Sequence, residues 1–343
     1  MKHIQAVLLG CGAVGSEIIK DSYKRGVDYI GVFDIKPELI GKDIGEAVGE
    51  PAFGVKIQHV NELEDFINSH SVDIAIDTAT APAEVTLAEM RLLLSHKINV
   101  LVSLADIYVM RHDFPDLFEE LDALGKKNNA TFFSSGIQDV FWTSLPLALS
   151  GCNVEISEIK GTNIALIDDF GPGVADECYV GWDLEKFNQA NASGNLPTND
   201  FLIALYELVH KLDLHVTSEN SEMKPLLAKK DMYYESIDRH VKEGQLIGNY
   251  VESTITTEEN ITLICDFVSK MTEEGDSDLN KWEIKGVPNI NVITEHMQGG
   301  ITTGSSMINR IPDVINAPAG IAEASQMPTP FFKVKKLNEY IHR

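Results

Sequence analysis

The run Leu8-Leu9-Gly10-Cys11-Gly12-Ala13-Val14-Gly15 constrains this chain more than any other stretch. It sets a GxGxxG spacing directly after the apolar Ile4 to Leu9, and directly before Val14 to Arg25, whose apolar positions recur at helical spacing. Gly10 permits a tight turn, Gly12 lets backbone approach a diphosphate, and Gly15 lets helix and strand pack closely. The helix start at Ala13 and Val14 presents free N–H groups to anionic oxygen. Tyr29 to Phe33 reads as a second strand closed by Asp34, nineteen residues after Gly15, where a carboxylate accepts ribose hydroxyls. The spacing predicts a βαβ unit that binds a dinucleotide; a tight strand-to-helix turn without a ligand is the plainer alternative. A carboxylate repels a 2′-phosphate, so NAD is the preferred cofactor. Lys36, two residues on, would relieve part of that repulsion and leaves NADP open.

Alternation of strand and helix continues to about residue 135. Asn61 to Ser69, Ala83 to His96 and Pro115 to Asn128 read as helices; Val72 to Asp77, Val100 to Ser103 and Thr131 to Phe133 read as strands. Such alternation predicts a parallel sheet with helices on both faces. From about Asn153 to Ile167 the period changes to two, and it recurs at Tyr250 to Thr256, Ile261 to Phe267 and Ile290 to Thr294. Met307 to Ile315 reads as a closing helix that packs back on the first domain. The expected fold class is α/β. A Rossmann-type, doubly wound parallel sheet spans residues 1–135, an α+β domain with a mostly antiparallel sheet spans 136–304, and a helix and tail span 305–343. A chain of 343 residues suits two cores.

Composition narrows the partners. The chain carries 52 acidic against 28 basic residues, a formal charge of -24. That surface repels phosphate backbones and anionic lipid, which argues against nucleic acid and membranes. No apolar run reaches the roughly 20 residues of a spanning helix. Leu8-Leu9-Gly10-Cys11 has the form of a lipoprotein cleavage box, but only Met1 to Gln5 precede the apolar run, so it is read as a strand entering a glycine loop. Cys11, Cys152, Cys178 and Cys265 are dispersed without metal-ligand spacing. They read as small apolar fillers in a reducing, cytoplasmic compartment, and no metal site is expected. Six residues are Arg, so forked clamps for carboxylate are scarce.

In a doubly wound sheet, ligands lie beyond the carboxyl ends of the strands. That places Thr78, Ala79 and Thr80 beside the nicotinamide ribose, although Thr80 would serve equally as a helix cap. Ser103 ends the next strand and joins the cofactor residues, and the chain runs on to Asp106, where the nicotinamide would lie. Gln138, Asp139, Phe141 and Trp142 follow the last strand of the series and offer an amide, a carboxylate and two rings to a substrate. Asp139 would equally make a helix N-cap. Tyr179 and Trp182 are candidates to line an apolar cavity and His296 to reach a pocket, and each is also readable as structural. Hydride transfer belongs to the dinucleotide, so the protein must supply orientation and proton handling.

These residues resemble those of 2,4-diaminopentanoate dehydrogenase and the native amine dehydrogenases, a family related to dihydrodipicolinate reductase. The likeness spans nearly the whole chain. It rests on the glycine loop running to Asp34, on Ile35 to Glu46, on Val102 to Asp106, and on Gly299 to Pro312. The His-His and Lys signature of dihydrodipicolinate reductase is absent. The resemblance implies reversible oxidative deamination, in which amine, NAD(P)+ and water give a ketone or aldehyde, ammonia and NAD(P)H. It also implies a homodimer joined through the second domain's sheet. The family's catalytic Glu follows the fifth strand; Asp106 holds that position here, shorter by one methylene, about 1.5 Å of reach. A carboxylate there would hold the ammonium, accept a proton so that the free amine releases hydride, and steer water onto the resulting C=N bond. The aromatic candidates suggest an apolar amine or ketone. An imine or carbonyl reductase that makes no use of ammonia, and a dinucleotide sensor without turnover, stay open.

Overall fold

The computed structural model describes residues 2–79, 83–103, 110–194 and 200–342. Thr80 and Asp106 therefore lie outside the described residues. The chain divides into two compact units, Met1–Val140 with Ile301–Arg343, and Phe141–Gly300. The expected boundaries, at 135/136 and 304/305, differ by a few residues: one division falls inside the helical run Gln138–Ser144 and the other inside helix Gly299–Asn316.

In the first unit, short apolar strands pair in parallel: β1 (Ile4–Leu9), β2 (Val27–Asp34), β3 (Ile57–His59), β4 (Ile74–Asp77), β5 (Asn99–Val102) and β6 (Thr131–Ser134). The last strand of the chain, β15 (Gly320–Ala322), adds beside β6, again in parallel. The spatial order is β15-β6-β5-β4-β1-β2-β3, so the winding reverses between β1 and β4 and opens a crevice there. Leu63, Ile67, Leu93, Leu94, Phe118 and Leu121 form one core with Val7, Leu9, Val100 and Phe132. Burying each such side chain contributes about 1.5–3 kcal/mol. Helix Gly299–Asn316 begins eight residues before Met307, where the expected closing helix starts. A Cβ at its Gly304 would sit 3.6 Å from Ile18, on helix Ala13–Tyr23.

The second unit is built on a mixed sheet. Its strands are β7 (Glu155–Leu166), β8 (Val216–Leu227), β11 (Leu246–Thr257), β12 (Thr262–Lys270), β13 (Leu279–Val287) and β14 (Ile290–Glu295). They lie in the order β14-β13-β7-β12-β11-β8, and all neighbours are antiparallel except β7 and β12, which run parallel. A separate two-stranded ribbon joins β9 (Met232–Tyr234) and β10 (Arg239–Val241). One sheet face packs on helix Asp200–Lys211, where Phe201 meets Trp282 edge to face at 5.5 Å.

Candidate active site

The loops after β1 and β4 meet at the crevice. Gly10 holds φ +84°, and a Cβ there would come within 2.7 Å of the Ala79 backbone. A Cβ at Gly15 would lie 2.2 Å from the Gly10 carbonyl oxygen. The Thr78 hydroxyl donates to that carbonyl at 2.8 Å, and the Thr78 N–H donates to Leu9 O at 2.9 Å. Thr78, expected beside a ribose, therefore spends its hydroxyl proton on bracing the glycine loop. Gly12 caps helix Ala13–Tyr23, and among the described residues it has no side-chain cap and a Cβ on it would meet nothing within 4 Å. The loop is thus tight on its inner side and open where a diphosphate would reach the first-turn N–H groups of Ala13, Val14 and Gly15.

Asp34 closes the other end of that cradle. Its buried carboxylate accepts N–H groups from Cys11 at 2.8 Å, Ile35 at 2.8 Å and Lys36 at 2.9 Å. A carboxylate has about four lone-pair positions, so about one is left for a ribose hydroxyl. The side chains of Ile35 and Lys36 are exposed beside it. These residues fit a dinucleotide.

Asp77 was not among the residues expected from the sequence. The N–H groups of Ala79 and Ser103 reach it, the first to its carboxylate at 2.9 Å and the second to its carbonyl at 3.0 Å. Burial raises the Asp77 carboxyl to about 6. Glu89, on helix Ala83–Ser95, is raised to about 7, by burial first and by the Asp77 charge second. An acid closing an otherwise apolar strand was the available signal.

Beyond β6, the Ser135 N–H donates to Val102 O at 2.9 Å, and its hydroxyl donates to Asp139 at 3.0 Å. Asp139 is fully buried beside Gln138, and its two oxygens take the Arg310 fork at 2.7 and 2.8 Å. The carboxylate expected in a substrate pocket is engaged by a guanidinium, and Arg310 is one forked clamp that counting Arg did not reveal.

In the second unit, Trp142 is buried against Phe201 at 5.1 Å and Phe267 at 5.4 Å. Its indole N–H donates to Asn163 Oδ1 at 3.2 Å, and Asn280 Nδ2 donates to the same oxygen at 3.3 Å. Among the described residues, Asn163 Nδ2 and Asn280 Oδ1 are buried without a hydrogen-bond partner, a polar pair that sequence reading missed. The Phe141 carbonyl accepts from Trp282 Nε1 at 2.7 Å. Tyr179 belongs to a different cluster, with Phe187, Leu246 and Trp182. His296 is exposed at φ +57°, its Nδ1 3.0 Å from the Ser277 hydroxyl. Trp142, Tyr179 and His296 are thus held by different neighbours. Cys11, Cys178 and Cys265 are buried, whereas Cys152 is exposed at a turn and is not the apolar filler expected. Among the described residues no group of three or more His, Cys, Asp or Glu is placed to hold a metal, and no helix is long and apolar enough to cross a membrane.

Two family profiles match this chain. Residues 4–104 match the dihydrodipicolinate reductase N-terminus, and residues 141–343 match the 2,4-diaminopentanoate dehydrogenase C-terminal domain. The chain is 24% identical over 347 residues to the 2,4-diaminopentanoate dehydrogenase of Acetoanaerobium sticklandii, covering 96% of this chain and 95% of that protein. Its structure is similar to that of an amine dehydrogenase from Mycobacterium smegmatis, with TM-score 0.93 and 27% identity, covering 98% of this chain and all (100%) of the other. A shorter likeness, 34% identity over 86 residues, is to the redox-sensing transcriptional repressor Rex of Caldicellulosiruptor saccharolyticus, covering 24% of this chain and 35% of that protein.

Proposed function

We propose, from the premise that this chain belongs to the 2,4-diaminopentanoate dehydrogenase family, that it is a cytosolic amine dehydrogenase interconverting a small amine with its ketone or aldehyde and ammonia. It is an NAD(P)-dependent oxidoreductase acting on amines. The observation that carries the reading is the family match over residues 141–343, joined to a glycine loop that fits a dinucleotide. A sensor reading gains little from the likeness to Rex, which leaves three quarters of the chain unaccounted for.

When bound, the nicotinamide accepts or supplies the hydride. The chain's own residues do the rest. First-turn N–H groups of helix Ala13–Tyr23 hold the diphosphate, and Asp34 accepts a ribose hydroxyl and disfavours a 2′-phosphate, so NAD is the cofactor of choice. Ala79 and Ser103 flank the nicotinamide ribose, and Lys36 stands where it would temper the charge of Asp34. Asp106 takes the proton from the ammonium and later steers water to the carbon. Gln138, buried beside Asp139, is the proposed substrate contact of the first unit. The partner in solution is a second copy, docked on the open face of the second sheet. Ile156, Ile164, Ile264 and Val268 stay only half-buried on that face, between the ion pairs Lys160–Asp266 and Lys285–Glu158, both 2.7 Å.

Replacing Asp106 by Asn tests the assignment of the base. Turnover should fall by about 10²–10⁴-fold while NADH binding holds. An unchanged rate would remove the carboxylate from the chemistry and favour a carbonyl reductase that needs no ammonia.

A further inference from the structure

Arg310, Asp139, Asp313 and Lys333 form a cluster of charged side chains in the interior of the first unit, outside the dinucleotide cradle. Arg310 forks onto Asp139, and its remaining nitrogen donates to Pro328 O at 2.6 Å and approaches Asp313 at 3.4 Å. Lys333 donates to Asp313 at 3.0 Å. Arg310 and Lys333 are 1% exposed and Asp139 is 0%, so these charges have left water almost entirely. Desolvating them costs several kcal/mol per ion, and an apolar pair of similar volume would hold a fold as well. An ion pair adds a fixed direction: the planar fork sets both the position and the plane of the carboxylate.

That direction falls on one segment. Asp139 also accepts the Ser135 hydroxyl, and Ser135 is the first residue past β6, its N–H tied to Val102 at the end of β5. Carboxyl ends of parallel strands are where ligands bind, and this is the half of the sheet remote from Asp34 on β2. A second fork acts beside it. Glu323, directly after β15, accepts Arg111 at 2.8 and 3.2 Å, and β15 itself pairs with β6. The C-terminal segment thus grips the described chain around the ends of β5 and β6 by ion pairs, where packing alone would suffice for stability.

We propose that Arg310, acting through Asp139, is a positioning residue that sets the segment Ser134–Gln138 for hydride transfer, so that the C-terminal segment is part of the catalytic apparatus. Only the catalytic readout below rests on the amine dehydrogenase reading. The test compares the full-length protein with Arg310→Lys, which keeps the charge and loses the fork, and with the apolar pair Asp139→Leu plus Arg310→Met. Measured are the melting temperature, NADH affinity, turnover, and amide exchange of residues 134–138 with NADH bound. Expected are a folded apolar pair, NADH affinity within about twofold, faster exchange at Ser134–Gln138 in both variants, and turnover lower by roughly 10- to 100-fold. Exchange and turnover at the wild-type level in the folded apolar pair would overturn the proposal, as would losses of NADH affinity and turnover in equal measure. Should wild-type protein turn over no amine, the functional reading fails separately, and the exchange data still decide the positioning role.

Discussion

Asp34, in the proposed assignment, serves the protein and the cofactor with one carboxylate. Three backbone N–H groups fix it, and about one lone-pair position remains for a ribose hydroxyl. Asp34→Asn keeps the volume, keeps an accepting oxygen and removes the charge. NADH should bind about 1.5–3 kcal/mol more weakly, the worth of a charge-assisted hydrogen bond, and NADPH should gain relative to it; titrations with both measure the ratio. An unchanged ratio would mean that the cofactor choice is made elsewhere. Asp77 makes a different kind of prediction. Its carboxyl lies near 6 in the folded protein against about 4 unfolded, so the native state binds the extra proton between those values. Stability it contributes when protonated is lost as pH rises from about 4 to about 6, roughly 3 kcal/mol in all. Asp77→Asn, whose oxygen still accepts the Ala79 N–H, should unfold at higher denaturant than wild type at pH 8 and equally at pH 4. The same difference from wild type at both pH values would show that folding does not raise the Asp77 carboxyl.

At the scale of elements, the glycine loop illustrates how local sequence becomes geometry. Gly15→Ala would push a methyl against the Gly10 carbonyl, and because Gly10 is pinned by Thr78 and Phe33 the clash has nowhere to relax. A loss of about 1–3 kcal/mol, with a larger proportional loss of dinucleotide affinity, should appear in denaturation and binding measurements. The strands of the first unit were legible because each is a buried parallel strand and so a continuous apolar run. Other elements were hidden for physical reasons. Strand β8 is an edge strand whose Val216 to Glu222 are exposed on both faces, so no period of two marks it. Strand β13 carries Asn280 at an inward position, which breaks the apolar phase that Trp282 and Ile284 keep. Helix Gly299–Asn316 opens with glycines and threonines, which read as loop until Met307.

Across the whole molecule, what stayed illegible is what joins distant parts of the chain. Asp139 and Arg310 stand 171 residues apart; Asp139 alone reads equally as a helix cap, and nothing around Arg310 in the sequence marks its partner. Asn163 and Asn280 meet across two strands separated by 117 residues. Fold class and cofactor cradle depend on local periods and spacing, so they can be read in one dimension; a substrate pocket depends on which strands become neighbours. The excess of 24 negative charges likewise belongs to the whole surface, and it leaves the site to small molecules rather than to phosphate polymers. Use of ammonia separates amine dehydrogenation from the other hydride transfers open to this fold. The direct measurement is oxidation of NADH by the purified protein across a panel of small ketones and aldehydes, with and without ammonium. Amine dehydrogenase chemistry predicts oxidation only when ammonium and carbonyl are both present, with the primary amine as product; equal rates without ammonium would contradict it.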